Sequence, residues 1–339
     1  SAASDVYKRQ VCEFVLPSTY ASAGVVRSIY VPLLCVNCKK YDEEELMKFA
    51  YHATMCDPDM YLPLAIAAEE AGFDTFTFPD SICYPKEGSD VYPYNDDGTR
   101  DFLDGVPFLE PFVAIPYLAA RTEKLRFTTS VIKLAIRQPA IVAKQLATLG
   151  VMIGDRFGFG VGISPWPEDF LACQVPWEKR GKRMDEMMEI VNGLMTGEYF
   201  SYDGEIFQMD AIKLCPVPKH KIPLLVGGHA KPALRRAARL GDGWISAGSS
   251  LDELKSMIGQ IEDFRVDYGR TEGDFEYHAM TEAAYSKEGL DDLAAAGVTE
   301  VIIAFRNPYD AEPDTQTLEE KIGMINWYAD NVIKPHREG

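Results

Sequence analysis

Four short stretches carry residues suited to holding a ligand: Asp80-Ser81, Ser130-Val131, Gly160 to Ser164, and Gly227-Gly228-His229-Ala230. Each follows an apolar run and offers small or backbone-exposing positions. Gly160 and Gly162 have no Cβ, so a flat ring or a phosphate can approach the backbone closely there. The Gly227-Gly228 pair stands directly before an amphipathic segment beginning at Lys231, and the free N–H groups of a helix start hold phosphate well. Acid–base side chains are few: Asp80, with Glu168 and His229 as further candidates for proton transfer. The five histidines, His52, His220, His229, His278 and His336, lack metal-ligand spacing, and there is neither a Gly-x-Ser-x-Gly elbow nor a P-loop. Glycines and apolar walls with few catalytic side chains suit a cofactor that brings its own chemistry.

Each candidate also has a plainer reading. Asp80 can cap a loop, Glu168 can complement a helix N-terminus, and His229 can be structural. Arg180, Arg183, Asp185 and Glu186 read as surface or inter-helix ion pairs. Arg137 is a candidate for an anionic cofactor tail. Trp166, Trp177 and the Tyr92/Tyr94 pair can wall a pocket.

These stretches converge only if the strands before them end side by side. Strands are expected near residues 48, 73, 125, 157, 224, 243, 275 and 299, nearly all separated by helical segments. Eight such units predict an α/β fold, a (β/α)₈ TIM barrel whose site lies at the strand C-termini, with an open doubly wound sheet as the alternative. Tyr199 to Met209, turned by Asp203-Gly204, predicts a hairpin inserted after strand four. The polar and aromatic segment from Ile82 to Pro107 is long enough to be a lid. Residues 1–46 do not share the alternation and are expected to be an extension outside the fold, with Met47 opening a domain over 47–339.

The chain has 339 residues and a formal net charge of -18, which argues against nucleic acid or an anionic membrane as partner. No apolar run is long enough to span a bilayer. Seven scattered cysteines fit a reducing compartment, so the protein is expected to be cytoplasmic, and Cys35-x-x-Cys38 stands alone without a second pair.

Several blocks then match one pattern in order and spacing. They are Asp57-Pro58 through Glu69-Glu70-Ala71-Gly72-Phe73-Asp74, Thr129-Ser130-Val131 with Arg137-Gln138-Pro139 and Ala143-Lys144-Gln145, Gly158 to Phe170, and Val226-Gly227-Gly228 through Gly241-Asp242-Gly243-Trp244. Together they resemble the luciferase-like flavin-dependent oxidoreductases, from Met47 to the C-terminus. The loop with Tyr84-Pro85, Tyr92-Pro93-Tyr94 and Asp97-Gly98-x-Arg100 is most similar to the deazaflavin branch. The resemblance implies a barrel that binds FMN or coenzyme F-420. Asp80 and Ser81 would meet the ring, and Ser130-Val131 would form a bulge, typically with a non-prolyl cis peptide, against its back face. Gly162, Ile163 and Ser164 would lie along the ring or its side chain, and Gly227, Gly228, Ala230 and Lys231 would cradle the phosphate. Ser81 stands where many deazaflavin-linked members have histidine, and Pro165 where some dehydrogenases have glutamate. The implied activity is monooxygenation or hydride transfer on a small organic substrate, with NAD(P)H or a flavin reductase as electron source, in a homodimer. A non-catalytic flavin-binding homologue and a flavin-independent barrel enzyme on a phosphorylated substrate are the alternatives.

Overall fold

A computed structural model describes residues 47–88, 92, 98–307 and 312–338. Its strands are β1 (Lys48–His52), β2 (Thr75–Phe78), β3 (Arg126–Thr129), β4 (Ile132–Lys133), β5 (Phe157–Gly162), β6 (Phe200–Asp203), β7 (Gln208–Ile212), β8 (Leu224–Gly227), β9 (Gly243–Ser246), β10 (Glu276–Ala279) and β11 (Glu300–Ile303). Eight of them run parallel in the order β3-β2-β1-β11-β10-β9-β8-β5, and β5 pairs back onto β3 through Phe127 with Phe157 and Thr128 with Gly158. That pairing closes the barrel. The antiparallel β6–β7 hairpin is separate from it.

The helices are α1 (Tyr61–Ala71), α2 (Pro111–Ala119), α3 (Pro139–Ile153), α4 (Pro167–Ala172), α5 (Arg180–Leu194), α6 (Lys231–Leu240), α7 (Leu251–Asp267), α8 (Lys287–Ala295), α9 (Leu318–Tyr328) and α10 (Lys334–Glu338). Their starts follow local chemistry. Proline opens α2, α3 and α4, where its missing N–H costs nothing. Capping boxes Ser250/Glu253 and Thr317/Glu320 open α7 and α9. Gly72, with φ of 94°, ends α1 in the left-handed conformation.

Three elements are irregular. The strand that opens at Arg126 is interrupted at Ser130-Val131 and resumes as β4, beside Val161 and Gly162. The proline-rich exit of β5 folds into a short helix, α4. The helix α9 passes into a π-turn over Ala329–Ile333 before α10. Residues 1–46, including Cys12, Cys35 and Cys38, and Tyr94, Asp96 and Asp97 lie outside the described residues. Among the described residues the cysteines are free, no group of side chains could hold a metal ion, and no helix is long and apolar enough to cross a membrane.

The barrel interior is layered. Ala50, Leu225, Ile245 and Ile302 form an apolar layer. At the strand N-termini sits a buried ionic cluster instead. Arg126 donates two hydrogen bonds to Glu276, at 2.8 and 3.0 Å. His278, fully buried, lies 2.7 Å from Glu276 through Nε2 and 3.1 Å from Glu300 through Nδ1. Thr75 donates to Glu300 at 2.8 Å. Burial alone would lower the His278 pKa, but Glu300 and Glu276 overcome it and raise it to about 9. Two cations thus face two carboxylates in direct contact.

The folded state holds the His278 proton more tightly than the unfolded chain, whose histidine titrates near 6.5. Its contribution to stability is full below that pH and is lost as pH rises through about 9. Thermal unfolding is therefore expected to show a falling midpoint between roughly pH 6.5 and 9.5. His278→Gln should flatten this slope while costing about 3–5 kcal/mol, because it leaves a buried carboxylate unpaired. An equally steep slope in the variant would place the titration elsewhere.

Candidate active site

The C-terminal ends of the strands surround a cavity of about 630 Å³. Its floor is set by Val131. The chain leaves β3 at Ser130, whose N–H donates to the Phe78 carbonyl at 2.6 Å, and the Ser130–Val131 peptide is cis. Val131 is thereby wedged between Gly162 of β5 and Gly227 of β8, neither of which has a side chain. A Cβ on Gly162 would sit 2.7 Å from Val131 Cγ2, and one on Gly227 would sit 2.9 Å from its Cγ1. Only glycine at both positions leaves this shelf in place.

Asp80 lines the cavity but is not a loose acid. Its Oδ2 accepts the Lys133 N–H at 2.9 Å, and both oxygens accept from Arg137 Nη2 at 3.0 Å. Arg137 also pairs with Glu110 at 3.1 Å and lies over Phe112. It does not line the cavity. The expectation that it takes an anionic tail is corrected: its guanidinium is committed to two carboxylates, and its effect is to fix Asp80.

Beside Asp80 lies a polar cluster that sequence reasoning missed. The Lys133 ammonium donates to Asp169 at 2.7 Å and to Ser81 at 3.3 Å, and sits 4.4 Å from the centre of the Trp166 ring. The Ser164 hydroxyl donates to the same Asp169 oxygen and accepts the Trp166 N–H at 3.1 Å. Asp169 and Glu168 are neighbours on α4, about 100° apart around the helix, and only one of them turns inward. Asp169 is buried, whereas Glu168 points to Arg100 at 3.3 Å and does not line the cavity. Asp169 does not line the cavity either, but it is the buried carboxylate of the two and holds Lys133 and Ser164, which do. One signal was present in the sequence: Lys133 is the sole charge in the apolar run Val131 to Ile136. Trp166 completes this wall, stacked on Tyr92 at 5.5 Å, and among the described residues its buried Nε1–H has no partner.

His52 reaches the cavity from β1. Its Nδ1 lies 2.7 Å from Thr77 Oγ1, and burial lowers its pKa to about 4, so the ring is neutral at physiological pH.

At the far end, Gly227, Gly228, His229 and Ala230 lead into α6. Trp244 Nε1 donates to the Gly228 carbonyl at 2.9 Å, which holds this loop from β9. His229 Nε2 accepts the Ala247 N–H at 3.0 Å, and burial lowers its pKa. Accepting that N–H leaves no proton on Nε2, so the ring ties two loops together with Nε2 already committed. Neither α5 nor α6 has a side-chain cap at its N-terminus. Arg180, Gly181 and Arg236 line this end of the cavity. Arg180, which the sequence placed in a surface ion pair, instead stacks on Trp177, with 3.6 Å from Cζ to the ring centre. Lys231 is absent from this lining. It opens a second, adjoining cavity.

The family model for luciferase-like monooxygenase matches residues 49–323. The uncharacterized protein Rv0940c of Mycobacterium tuberculosis is 49% identical over 287 residues, 85% of this chain and 99% of that protein. An F420-dependent glucose-6-phosphate dehydrogenase of Microbacterium testaceum is 27% identical over 254 residues, 70% of this chain and 68% of that one. Among solved structures, an F420-dependent secondary alcohol dehydrogenase in complex with an F420-acetone adduct superposes with a TM-score of 0.66 at 17% identity, over 86% of this chain and 99% of that one. At that identity the last similarity concerns the fold alone.

The Val131 shelf generates a test. Gly162→Ala and Gly227→Ala are each expected to cost about 1–3 kcal/mol by overpacking against Val131. Adding Val131→Ala to either should recover most of that loss in thermal unfolding. Additive losses in the double variants would show that the two glycines do not act through Val131.

Proposed function

Because the chain belongs to the luciferase-like monooxygenase family, we propose that it is an oxidoreductase that holds a deazaflavin or flavin nucleotide in this cavity and acts on a small organic substrate. One observation carries the reading. The Val131 shelf, bare on both sides, lies in the same cavity as two uncapped helix starts with Arg180 and Arg236. A planar ring fits over the first and a phosphate at the second. The donor Trp166 Nε1–H, buried without a partner among the described residues, further supports a polar ligand there, since such groups are rarely left unsatisfied.

On this reading Val131, Ser130, Gly162 and Ile163 support the ring. Asp80, locked by Arg137 and the Lys133 N–H, accepts a hydrogen bond from its edge. Ser81 and Ser164 line that edge, and Gly227, Gly228 and Ala230 cradle the phosphate through backbone N–H groups. When bound, the cofactor supplies hydride transfer or oxygen activation, with reducing equivalents drawn from the substrate, NAD(P)H or a flavin reductase. The chain's own residues orient and shield. Tyr92, Phe102 and Phe108 wall the cavity with apolar surface, which excludes water and selects a substrate with an apolar part. The Lys133 ammonium, positioned by Asp169, lies 3.3 Å from Ser81, the residue that stands where many deazaflavin-linked members have histidine.

Titration of FMN and of coenzyme F-420 against the intrinsic tryptophan fluorescence tests the reading, and binding of neither would end it. Trp166→Phe should weaken the ligand that binds by about five-fold, the equivalent of one neutral hydrogen bond near 1 kcal/mol. Binding without turnover of any alcohol, aldehyde or NAD(P)H would favour a non-catalytic binding role for the same site.

A further inference from the structure

Lys133 is a charge where the strand has no structural need of one. Ile132, Leu134, Ala135 and Ile136 on either side of it are buried and apolar. Its ammonium lies 2.7 Å from Asp169, and both residues are buried. A buried pair of this kind gains little over apolar residues of the same size, because both charges lose their water. The Lys133 side chain lines the main cavity at the Asp80 end, as Arg180 and Arg236 do at the other. An ammonium has three N–H donors. Two are used, on Asp169 and, at 3.3 Å, on the Ser81 hydroxyl. The Ser81 oxygen, by accepting, keeps its own hydrogen to donate, and Ser81 lines the same wall. Two donors thus stand 3.3 Å apart, close enough for a single ligand oxygen to accept from both.

We propose that Lys133 is a specificity-determining residue: with Ser81 it holds an uncharged oxygen, a carbonyl or hydroxyl, on an otherwise apolar aromatic substrate. This rests on reading the cavity as the site of an oxidoreductase. Local charge sets the preference for an uncharged oxygen over a carboxylate. Three cations, Lys133, Arg137 and Arg100, face four carboxylates, Asp169, Asp80, Glu110 and Glu168, so this end has no net positive charge. A carboxylate placed there would meet Asp80 and Asp169 at close range in a partly desolvated wall. An uncharged acceptor takes the same hydrogen bonds without that repulsion. The rest of the wall is aromatic, with Tyr92, Phe102, Phe108 and Trp166, and flat rings pack well against such a surface. The two ends of the cavity therefore differ in what they accept: an anion at the helix starts, an uncharged oxygen beside Asp80.

Three probes of similar size, acetophenone, benzoate and ethylbenzene, test this by titration of the tryptophan fluorescence. Each is measured on the protein alone and on the protein saturated with FMN or coenzyme F-420. Acetophenone should bind about ten-fold more tightly than ethylbenzene, as a hydrogen bond from a charged donor would give, and benzoate no more tightly than ethylbenzene. The double variant Lys133→Met/Asp169→Asn removes both charges together and leaves no buried carboxylate unpaired. In it the acetophenone preference should fall to within about two-fold, through lost affinity for acetophenone rather than gained affinity for ethylbenzene. Ser81→Ala, a change at a half-buried position, should reduce the preference to about three-fold and reads the same subsite should the double variant not fold. Equal binding of acetophenone and ethylbenzene, tighter binding of benzoate, a preference that persists in the variants, or failure of all three probes to bind would overturn the inference. Failure of FMN and F-420 to bind would instead overturn the cofactor reading, and the probe series on the protein alone would still decide the role of Lys133.

Discussion

The whole barrel depends on one strand having no side chains on its inner face. In β5 the sequence Phe157-Gly158-Phe159-Gly160-Val161-Gly162 sends its large residues to the helices and only hydrogens inward. What occupies the vacated space differs at each level. A Cβ at Gly158 would meet Thr128 Oγ1 at 2.7 Å and Arg126 Nη2 at 2.8 Å. At Gly160 it would lie 1.8 Å from the Thr129 carbonyl and 2.8 Å from Ile245, and at Gly162 2.7 Å from Val131. The ionic cluster, the apolar layer and the floor of the site therefore all use room that β5 leaves. Interiors are packed too densely for any of the three to be filled from elsewhere.

A second set of constraints presents the rim rather than filling the barrel. Glu69 accepts the N–H groups of Glu123, Lys124 and Leu125, which fixes the approach to β3. Asp74 accepts the Phe49 N–H and pairs with Arg337, which clamps the chain's C-terminal end to β1 and β2. Asp242 accepts the Leu224 N–H at 3.1 Å, while Trp244 holds Gly228. Glu186, fully buried, accepts three N–H groups from the hairpin turn; burial raises its pKa, but those donors pull the net value below the usual carboxylate range. Each bracket satisfies backbone groups that would otherwise be left unpaired.

This explains what was legible in the sequence. The blocks that carried the family resemblance are largely these brackets, along with β5, and they are legible because backbone geometry admits few residue types. Gly-Asp-Gly-Trp needs a glycine at Gly243, where a Cβ would lie 2.5 Å from the Glu276 carbonyl, and a tryptophan whose N–H reaches Gly228. The period-two alternation of β5 and the spacing of strands and helices were sufficient for the barrel. The side chains of the site were less legible, because their roles depend on partners far apart in sequence. Nothing local distinguishes Asp169 from Glu168; Lys133, 36 residues upstream of Asp169, makes the difference. Arg137 looks available until Asp80, 57 residues away, is found beneath it.

That pattern of partners also bears on how so acidic a chain can accept an anion at all. Two of its cations near the site are neutralised within the protein: Arg137 by Asp80 and Glu110, and Lys133 by Asp169. They hold the acidic side chains in place rather than attract a phosphate. Attraction falls to the two helix starts with Arg236, and to the ring-stacked Arg180, Arg235 and Lys231, which have no carboxylate partner among the described residues. Stacking on Trp177 and Phe264 orders these cations through the ring face rather than through an anion, so ligand binding does not require an existing ion pair to be broken. Surface carboxylates more than about 8 Å away are largely screened at physiological ionic strength. The net charge thus opposes the approach of an anion mainly at long range and low salt, while affinity is decided by a few cations at contact distance.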